Sequence, residues 1–353
     1  MFASGVFPSH LTSPILLALG TVVVGCDSRS EVDGAPEAMP QKDESSAVVT
    51  VDVAAPRAAV PAHAYGVHSS VYDNALHAPQ VPDLLGEAGI ELLRWPGGGY
   101  SDNYHWSNHS LTPFADGSVG YLANGTDFGS YASLIDGFGR SMLITVNYGS
   151  NLAGTGPGEP EEAAAWVAYA NGDPDDTLAL GVDGAGNDWQ TAGYWATLRA
   201  SSPLAADDGS NFLRIAHPEP LGIQYWEVGN EVFGNGYHER DGLGYELDLH
   251  VPYDGTVRQG NEALSGTTYG TGVVAYSNAM KAVDASIKVG AVLNTPPADY
   301  QWGPNWNDQV LGACANVIDF AIVHWYPAQS AFSLLSAPRT TIPLMVTELR
   351  ASF

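Results

Sequence analysis

Apolar runs alternate with helical patterns along most of the chain. Six runs of β-branched and aromatic residues predict strands, at 64–69, 90–95, 142–148, 223–229, 288–293 and 317–323. The segments between them place apolar residues every three or four positions, which predicts helices at 80–88, 128–139, 160–170 and 268–286. Strands and helices in this order indicate parallel βαβ units.

Several such units in series favour an α/β fold of the (β/α)8 barrel type over an open sheet. The 353 residues of the chain are enough for one domain of that size. No glycine-rich phosphate loop follows the first predicted strand, which weakens the dinucleotide-binding alternative. Residues 172–222 are rich in Gly, Asp and Pro, and we expect an insertion there.

The N-terminal residues predict an exported protein. The apolar run "LTSPILLALGTVVVGC" is too short for a confident membrane span and suits a signal peptide over residues 1–26. Its end, "VVGC", resembles the lipobox of bacterial lipoproteins, which implies lipidation of Cys26 and a lipid-anchored place in the cell envelope. No Lys or Arg precedes Cys26, so a buried N-terminal strand is the alternative. Residues 27–46 predict a disordered tether, and residues 47–353 the barrel, beginning with a strand at 47–55.

The charge balance narrows the possible partners. The chain has 39 acidic residues against 13 Lys and Arg residues, which argues against nucleic acid and against electrostatic docking to anionic lipid. Contact with a membrane is therefore expected only through the lipid anchor. Two cysteines, Cys26 and Cys314, imply no disulfide framework. The many Trp and Tyr residues suit core packing or stacking on sugar rings.

The stretch "QYWEVGNEVFG" (224–234) carries the strongest chemical signal. Alternation in a strand would put Glu227 and Glu231 on one face, with Glu231 at the C-terminal end, where a barrel places its chemistry. Cleavage of a glycosidic bond needs two carboxyl groups, one of which protonates the leaving oxygen. Glu231 suits that role, and Asn230 suits a hydrogen bond to a sugar hydroxyl. Glu227 is expected to be structural and to pair with an inward Arg or His.

Three motifs resemble one group of enzymes. "YWEVGNE" (225–231) resembles the acid/base signature of retaining glycoside hydrolases with (β/α)8 barrels, most similar to α-L-arabinofuranosidase-like proteins. "LRWPGGGYSDNYHW" (93–106) and "IVHWYP" (322–327) resemble the second-strand and sixth-strand motifs of the same group. The resemblance implies hydrolysis of O-glycosidic bonds in plant-type oligo- or polysaccharide by double displacement. It implies no metal and no organic cofactor.

The resemblance also implies roles for single residues. Glu231 matches the general acid/base, and Asn230 the residue before it. Arg94 matches an arginine near the nucleophile, where it would keep that carboxylate ionised. His324 and Tyr326 match residues that contact the nucleophile side. The remaining candidates for substrate binding, at the ends of the third and first predicted strands, are Asn147 and His68.

Alternatives remain open for several of these residues. Arg94 would also suit a buried ion pair with Glu227 or Glu91, and His324 a core histidine. Arabinofuranosidases of this type usually have Asn where this chain has Gly99, and a Glu in or after strand 1 where it offers His68 and Asp73. An exo-glycosidase for β-xylosides or β-glucuronides is therefore an alternative, as is a non-catalytic sugar-binding lipoprotein. The spacing of the histidines matches no metal-ligand motif.

The last residues allow two interpretations. "LMVTE" resembles a seventh strand that ends in the nucleophile, which makes Glu348 the candidate nucleophile. The apolar residues instead recur at helical spacing, in the set Ile342, Met345, Val346, Leu349 and Phe353. We favour the helix, and with it a C-terminally truncated barrel of six or seven strands. Such a chain is expected to be poorly stable and to show no turnover on its own.

Overall fold

The computed structural model describes residues 59, 61, 63–114, 117–234, 246–251, 261–295, 305–326, 336–337 and 339–352. Cys26, the predicted signal peptide 1–26, the tether 27–46 and the strand 47–55 lie outside these residues. No helix in the described ranges is long and apolar enough to cross a membrane.

Eight strands are described, six of them in one sheet. They are β1 Gly66–His68, β2 Leu92–Trp95, β3 Tyr104–His105, β4 Ser110–Leu111, β5 Ser141–Val146, β6 Tyr225–Val228, β7 Lys288–Leu293 and β8 Phe320–Val323. The six-stranded sheet has the order β1-β2-β5-β6-β7-β8, with every neighbouring pair parallel. The sheet curls into a half-barrel, and this confirms the predicted barrel class. Strands β3 and β4 form a separate antiparallel hairpin.

Helices connect these strands. They are α1 Val81–Glu87, α2 Phe128–Phe138, α3 Pro160–Asn171, α4 Ala192–Ala200, α5 Gly266–Val283, α6 Trp306–Cys314 and α7 Thr341–Ser352. The side chain of Asp127 caps α2 by accepting the Ser130 N–H, and Ser265 caps α5 through the Thr268 N–H. The predicted strands and helices agree with the observed ones to within a few residues at their ends.

The structure corrects the prediction at three places. The expected insertion 172–222 contains the helix α4, and the short helix α6 was not predicted. The hairpin of β3 and β4 was also missed, because two-residue strands leave no periodic pattern. In the C-terminal segment the helical interpretation is confirmed: α7 covers the stretch "LMVTE", so a seventh strand at that position is wrong.

Aromatic side chains fill the core between the sheet and its helices. Trp95 of β2 stacks on Tyr131 of α2, with ring centroids 5.0 Å apart. Trp106 stacks on Trp166 of α3 at 5.4 Å, and Trp226 of β6 is fully buried. These aromatics therefore stabilise the fold rather than bind a sugar, and Cys314 is likewise a buried core residue.

Candidate active site

A buried ion pair connects strands β2 and β6. The guanidinium of Arg94 donates from Nε to Glu227 Oε2 at 2.6 Å and from Nη2 to Oε1 at 3.0 Å. Thr145 is the partner of Glu227 on the intervening strand β5, and its hydroxyl donates to Oε2 at 2.8 Å. Glu227 has no exposed surface, and these donors offset the cost of burying its charge. Arg94 thus makes the ion pair with Glu227 that was the alternative to its role near the nucleophile, and that role stays a prediction. Glu91 instead pairs with Arg140.

Asn230 is held by three different groups. Its side-chain oxygen accepts a hydrogen bond from Arg94 Nη2 at 2.9 Å, and its Nδ2 donates to Glu246 Oε1 at 2.7 Å. Its backbone N–H donates to Asp102 Oδ2 at 2.9 Å. Asn230 is nearly fully buried. Its carboxamide therefore has one orientation, because a flip would exchange donor and acceptor and break both side-chain bonds.

A turn, rather than strand alternation, brings Glu231 to the end of β6. The strand ends at Val228, and Gly229 has a φ of 71°, in the left-handed region that favours glycine. The expectation that Glu231 continues the face of Glu227 by simple alternation is therefore wrong. A 3₁₀ turn, Val232–Gly234, follows immediately.

Two side chains from the end of β8 contact the carboxylate of Glu231. His324 Nδ1 lies 2.7 Å from Oε1, and the Tyr326 hydroxyl donates to the same oxygen at 2.9 Å. His324 Nε2 also lies 3.9 Å from Glu227 Oε1. Partial burial and the bond to Glu231 raise the pKa of Tyr326 to about 12. His324 therefore lies within hydrogen-bond distance of Glu231 and near Glu227, and it is not a histidine of the apolar core.

The neighbours of Arg94 have shifted pKa values. Burial, reinforced by the charge of Arg94, lowers the pKa of His68 to about 4, so His68 is neutral near pH 7. Its Nδ1 can then accept from Arg94 Nη1, which lies 3.1 Å away. Burial raises the pKa of Asp102 to about 7, although two backbone N–H donors act in the opposite direction. Burial and the charge of Asp102 raise the pKa of Glu246.

Other residues that the sequence suggested for substrate binding or catalysis have different partners from those of Glu231. The Asn147 side chain donates to Tyr104 O and Ser150 Oγ and accepts the Ser150 N–H, so it braces the loop after β5. The side chain of Asp73 closes a local turn by accepting the Ala75 N–H. Glu348 lies in α7 rather than at a strand end, and its role as nucleophile stays a prediction.

The histidines that were considered for a metal site have separate partners. His105 pairs with Glu162, His109 lies 3.0 Å from the Tyr104 hydroxyl, and His63 lies 3.0 Å from Ser141 Oγ. Among the described residues, no three His, Cys, Asp or Glu side chains come together in a metal-binding group.

The sequence reasoning missed two members of this site, Asp102 and Glu246. Asp102 lies within the second-strand motif, so that motif was the available signal. Glu246 lies in a stretch without periodicity or motif, and only the fold brings it to Asn230. Glu231 with its polar neighbours therefore forms a carboxyl-rich site at the C-terminal ends of parallel strands, the position at which (β/α) barrels carry out catalysis.

Known proteins with similar sequences share one named activity. No protein-family model matches the chain. Over 161 residues it is 27% identical to a probable α-L-arabinofuranosidase C from Aspergillus fumigatus, covering 44% of this chain and 24% of that protein. Over 179 residues it is 26% identical to an intracellular exo-α-L-arabinofuranosidase from Bacteroides ovatus, covering 43% of this chain and 34% of that protein.

Solved structures show the same likeness in fold. An α-L-arabinofuranosidase from Thermotoga maritima superposes with a TM-score of 0.50 at 22% identity, over 83% of this chain and 51% of that one. A family 51 α-L-arabinofuranosidase from Bifidobacterium longum gives 0.50 at 18% identity, over 83% and 50%. The chain thus spans half of these structures, and 24% and 34% of the two curated relatives. The resemblance to barrel glycoside hydrolases of the arabinofuranosidase type is confirmed.

Proposed function

We propose that the protein hydrolyses O-glycosidic bonds, with Glu231 as general acid and base. The observation that carries this function is the placement of the Glu231 carboxylate at the end of β6, within hydrogen-bond distance of His324 and Tyr326. A positioned carboxylic acid that protonates the departing oxygen contributes roughly 10²–10⁴-fold to the rate. The similar proteins that are named arabinofuranosidases support the same chemistry.

The other residues of the site orient the substrate and Glu231. Asn230 is fixed by Arg94 and Glu246, so its carboxamide can bind a sugar hydroxyl without first being ordered. The ion pair with Glu227 fixes the Arg94 guanidinium, which in turn donates to the Asn230 side-chain oxygen. His324 and Tyr326 hold Glu231 in one rotamer, so that the proton is delivered along one direction.

The proposed substrates are α-L-arabinofuranosides of plant-type polysaccharide, cleaved by retaining double displacement. This route needs a second carboxylate about 5 Å from Glu231. Glu227 does not suit that role, because Arg94 and Thr145 already engage both of its oxygens. Glu348 remains the candidate nucleophile. Because it lies in a helix rather than at a strand end, the alternative of a sugar-binding protein without a nucleophile gains support. β-Xylosides and β-glucuronides are the alternative substrates, since Gly99 and His68 depart from the arabinofuranosidase pattern.

A panel of nitrophenyl glycosides tests this function. The proposed function and the sequence-based expectation of no turnover make opposite predictions for this panel. If the proposed function is right, hydrolysis of the α-L-arabinofuranoside exceeds that of the β-xyloside and the β-glucuronide, and Glu231→Gln abolishes most of it. Glu91→Gln, at a carboxylate outside the site, is the matched control. Calorimetric titration with L-arabinose separates the alternatives: binding without hydrolysis would identify a sugar-binding protein, and a preferred xyloside would identify another exo-glycosidase.

The proposed location is the bacterial cell envelope, with a lipid on Cys26. Support comes from the sequence alone, in the apolar run that ends in "VVGC" and the polar stretch after it. Mass spectrometry of the protein from native membranes should find Cys26 as a lipidated N-terminus, and Cys26→Ser should release the protein from the membrane. Recovery of an intact, unmodified residue 1 would contradict this location.

A further inference from the structure

Three consecutive glycines follow β2, and the third has no backbone reason to be glycine. Gly97 and Gly98 have φ values of 118° and 36°, in the region that L side chains avoid. Gly99 lies outside that region, so its backbone tolerates a side chain. The obstacle is Glu246, because a Cβ at position 99 would lie 2.7 Å from Glu246 Oε2.

Glu246 reaches this position from a distant part of the sequence. The segment 246–251 is held against the loop after β5, since the Leu249 N–H donates to Gly149 O at 2.7 Å. The ring of His250 also stacks on Tyr148, with centroids 4.6 Å apart. These contacts of the segment 246–251 fix the position of the Glu246 side chain, and only 4% of the residue is exposed.

We propose that Glu246 is a positioning residue of the glycoside site. It fills, from a later segment, the space that a side chain at position 99 would take, and it fixes the Asn230 carboxamide. Its effect on turnover rests on the proposed glycosidase function. A side chain at position 99 and the Glu246 side chain would compete for the same space. Either one can therefore supply the polar group beside Asn230, but the two cannot do so together.

The bonding of Asn230 explains why Glu246 matters. Arg94 fixes the side-chain oxygen, and Glu246 Oε1 accepts from Nδ2 at 2.7 Å. Without Glu246, the amide keeps the single Arg94 bond and can rotate about it. Burial raises the pKa of Glu246, which favours its neutral form. Glutamine has the same shape and keeps a carbonyl acceptor, so it is the conservative replacement.

Four variants of the full chain test the pair: Glu246→Ala, Glu246→Gln, Gly99→Asn and the double variant Gly99→Asn/Glu246→Ala. We expect kcat/KM for an aryl α-L-arabinofuranoside to fall about 100-fold in Glu246→Ala, mainly through kcat, because a misplaced group costs about that much. Gly99→Asn should lose a similar factor, because the new side chain meets Glu246. Glu246→Gln should stay within about tenfold of wild type.

The double variant and a spectroscopic measurement distinguish positioning from simple packing. The asparagine side chain introduced at position 99 should occupy the vacated space, so the double variant should recover at least about tenfold over either single variant. In ¹H–¹⁵N correlation spectra, the Nδ2 proton signals of Asn230 should shift upfield in Glu246→Ala, because the hydrogen bond to Glu246 is lost. They should stay near their wild-type positions in Glu246→Gln. Additive losses in the double variant, or an unshifted Asn230 signal, would overturn the inference. If Glu246→Ala fails to fold, the inference is tested by kcat/KM of the double variant relative to Gly99→Asn and by the Asn230 signals of Glu246→Gln.

A wild-type control separates this inference from the proposed function. If the wild type hydrolyses the glycoside and Glu246→Ala keeps its full kcat/KM, the positioning role is wrong and the glycosidase function stands. If the wild type binds L-arabinose without hydrolysis, the glycosidase function is wrong, and the same pattern in arabinose affinity supports the positioning role. If it does neither, both are overturned.

Discussion

Arg94 and Glu227 form a two-pronged buried ion pair, with N–O distances of 2.6 and 3.0 Å. Loss of Arg94 would leave the Glu227 carboxylate buried with one hydroxyl donor, Thr145. We therefore expect Arg94→Met to lower the free energy of unfolding by about 3–5 kcal/mol, as broken buried pairs do. Urea denaturation at pH 7 measures this change.

The Arg140–Glu91 pair is the matched control for that measurement. Its N–O distance is 3.2 Å, and the Glu91 side chain is 45% exposed. Solvent screening should limit the effect of Glu91→Gln to less than about 1 kcal/mol. Equal losses for Arg94→Met and Glu91→Gln would show that the Arg94 pair contributes no more than a surface contact.

Glu231→Gln should affect substrates according to their leaving groups. Acid assistance matters less when the leaving oxygen is already acidic, so dinitrophenyl glycosides should lose far less rate than alkyl glycosides. A series of aryl and alkyl α-L-arabinofuranosides gives the slope of log kcat/KM against leaving-group pKa. We expect a steeper slope in the variant. An unchanged slope would assign the proton transfer to another residue.

His68 should stay neutral to unusually low pH. Burial and Arg94 lower its pKa to about 4, from 6.5 in a free chain. The unfolded chain therefore binds a proton between pH 6.5 and 4 that the folded chain does not, so the free energy of unfolding falls as the pH drops through that window. The fall should be small, because the His68 side chain is exposed and solvent screens its charge. NMR titration of the His68 ring should give a midpoint near 4. A midpoint above about 6 would contradict the burial argument, and His68→Gln should remove this part of the pH dependence.

Asp102 should give the opposite pH dependence. Burial raises its pKa to about 7 from 3.8, so the folded chain holds a proton that the unfolded chain releases. The Asp102 contribution to the free energy of unfolding therefore falls as the pH rises from about 4 to about 7. Urea unfolding across this range should show the fall, and Asp102→Asn should flatten it.

Asp208 is the control for the Asp102 experiment. It is an exposed carboxylate, and its hydrogen bond to Arg214 lowers its pKa to about 2. Asp208→Asn should therefore leave the slope of stability against pH unchanged between about pH 4 and about pH 7, and should alter the pH dependence only below about pH 4. A slope that persists in Asp102→Asn would assign the fall to another buried carboxyl group, with Glu246 as the first candidate.

The sequence by itself determined the elements that have a local pattern. The βα alternation predicted a parallel (β/α) barrel with six or seven of its strands, because periodicity records which side chains face the core. The same reasoning placed helix α7 correctly, from apolar residues at helical spacing. It also put Asn230 and Glu231 at the end of β6, since a strand and its end are short-range features.

Only the tertiary structure decided how the site is assembled. Glu227 and Arg94 are distant in sequence, and their pairing depends on strand order and register across β5. Glu231 follows a left-handed turn at Gly229, where the sequence predicted a continued strand. Glu246 carries no local signal, because its role comes from a contact with a glycine and an amide that other segments supply. Long-range contacts of this kind leave no periodic pattern, since each depends on two segments that the fold brings together.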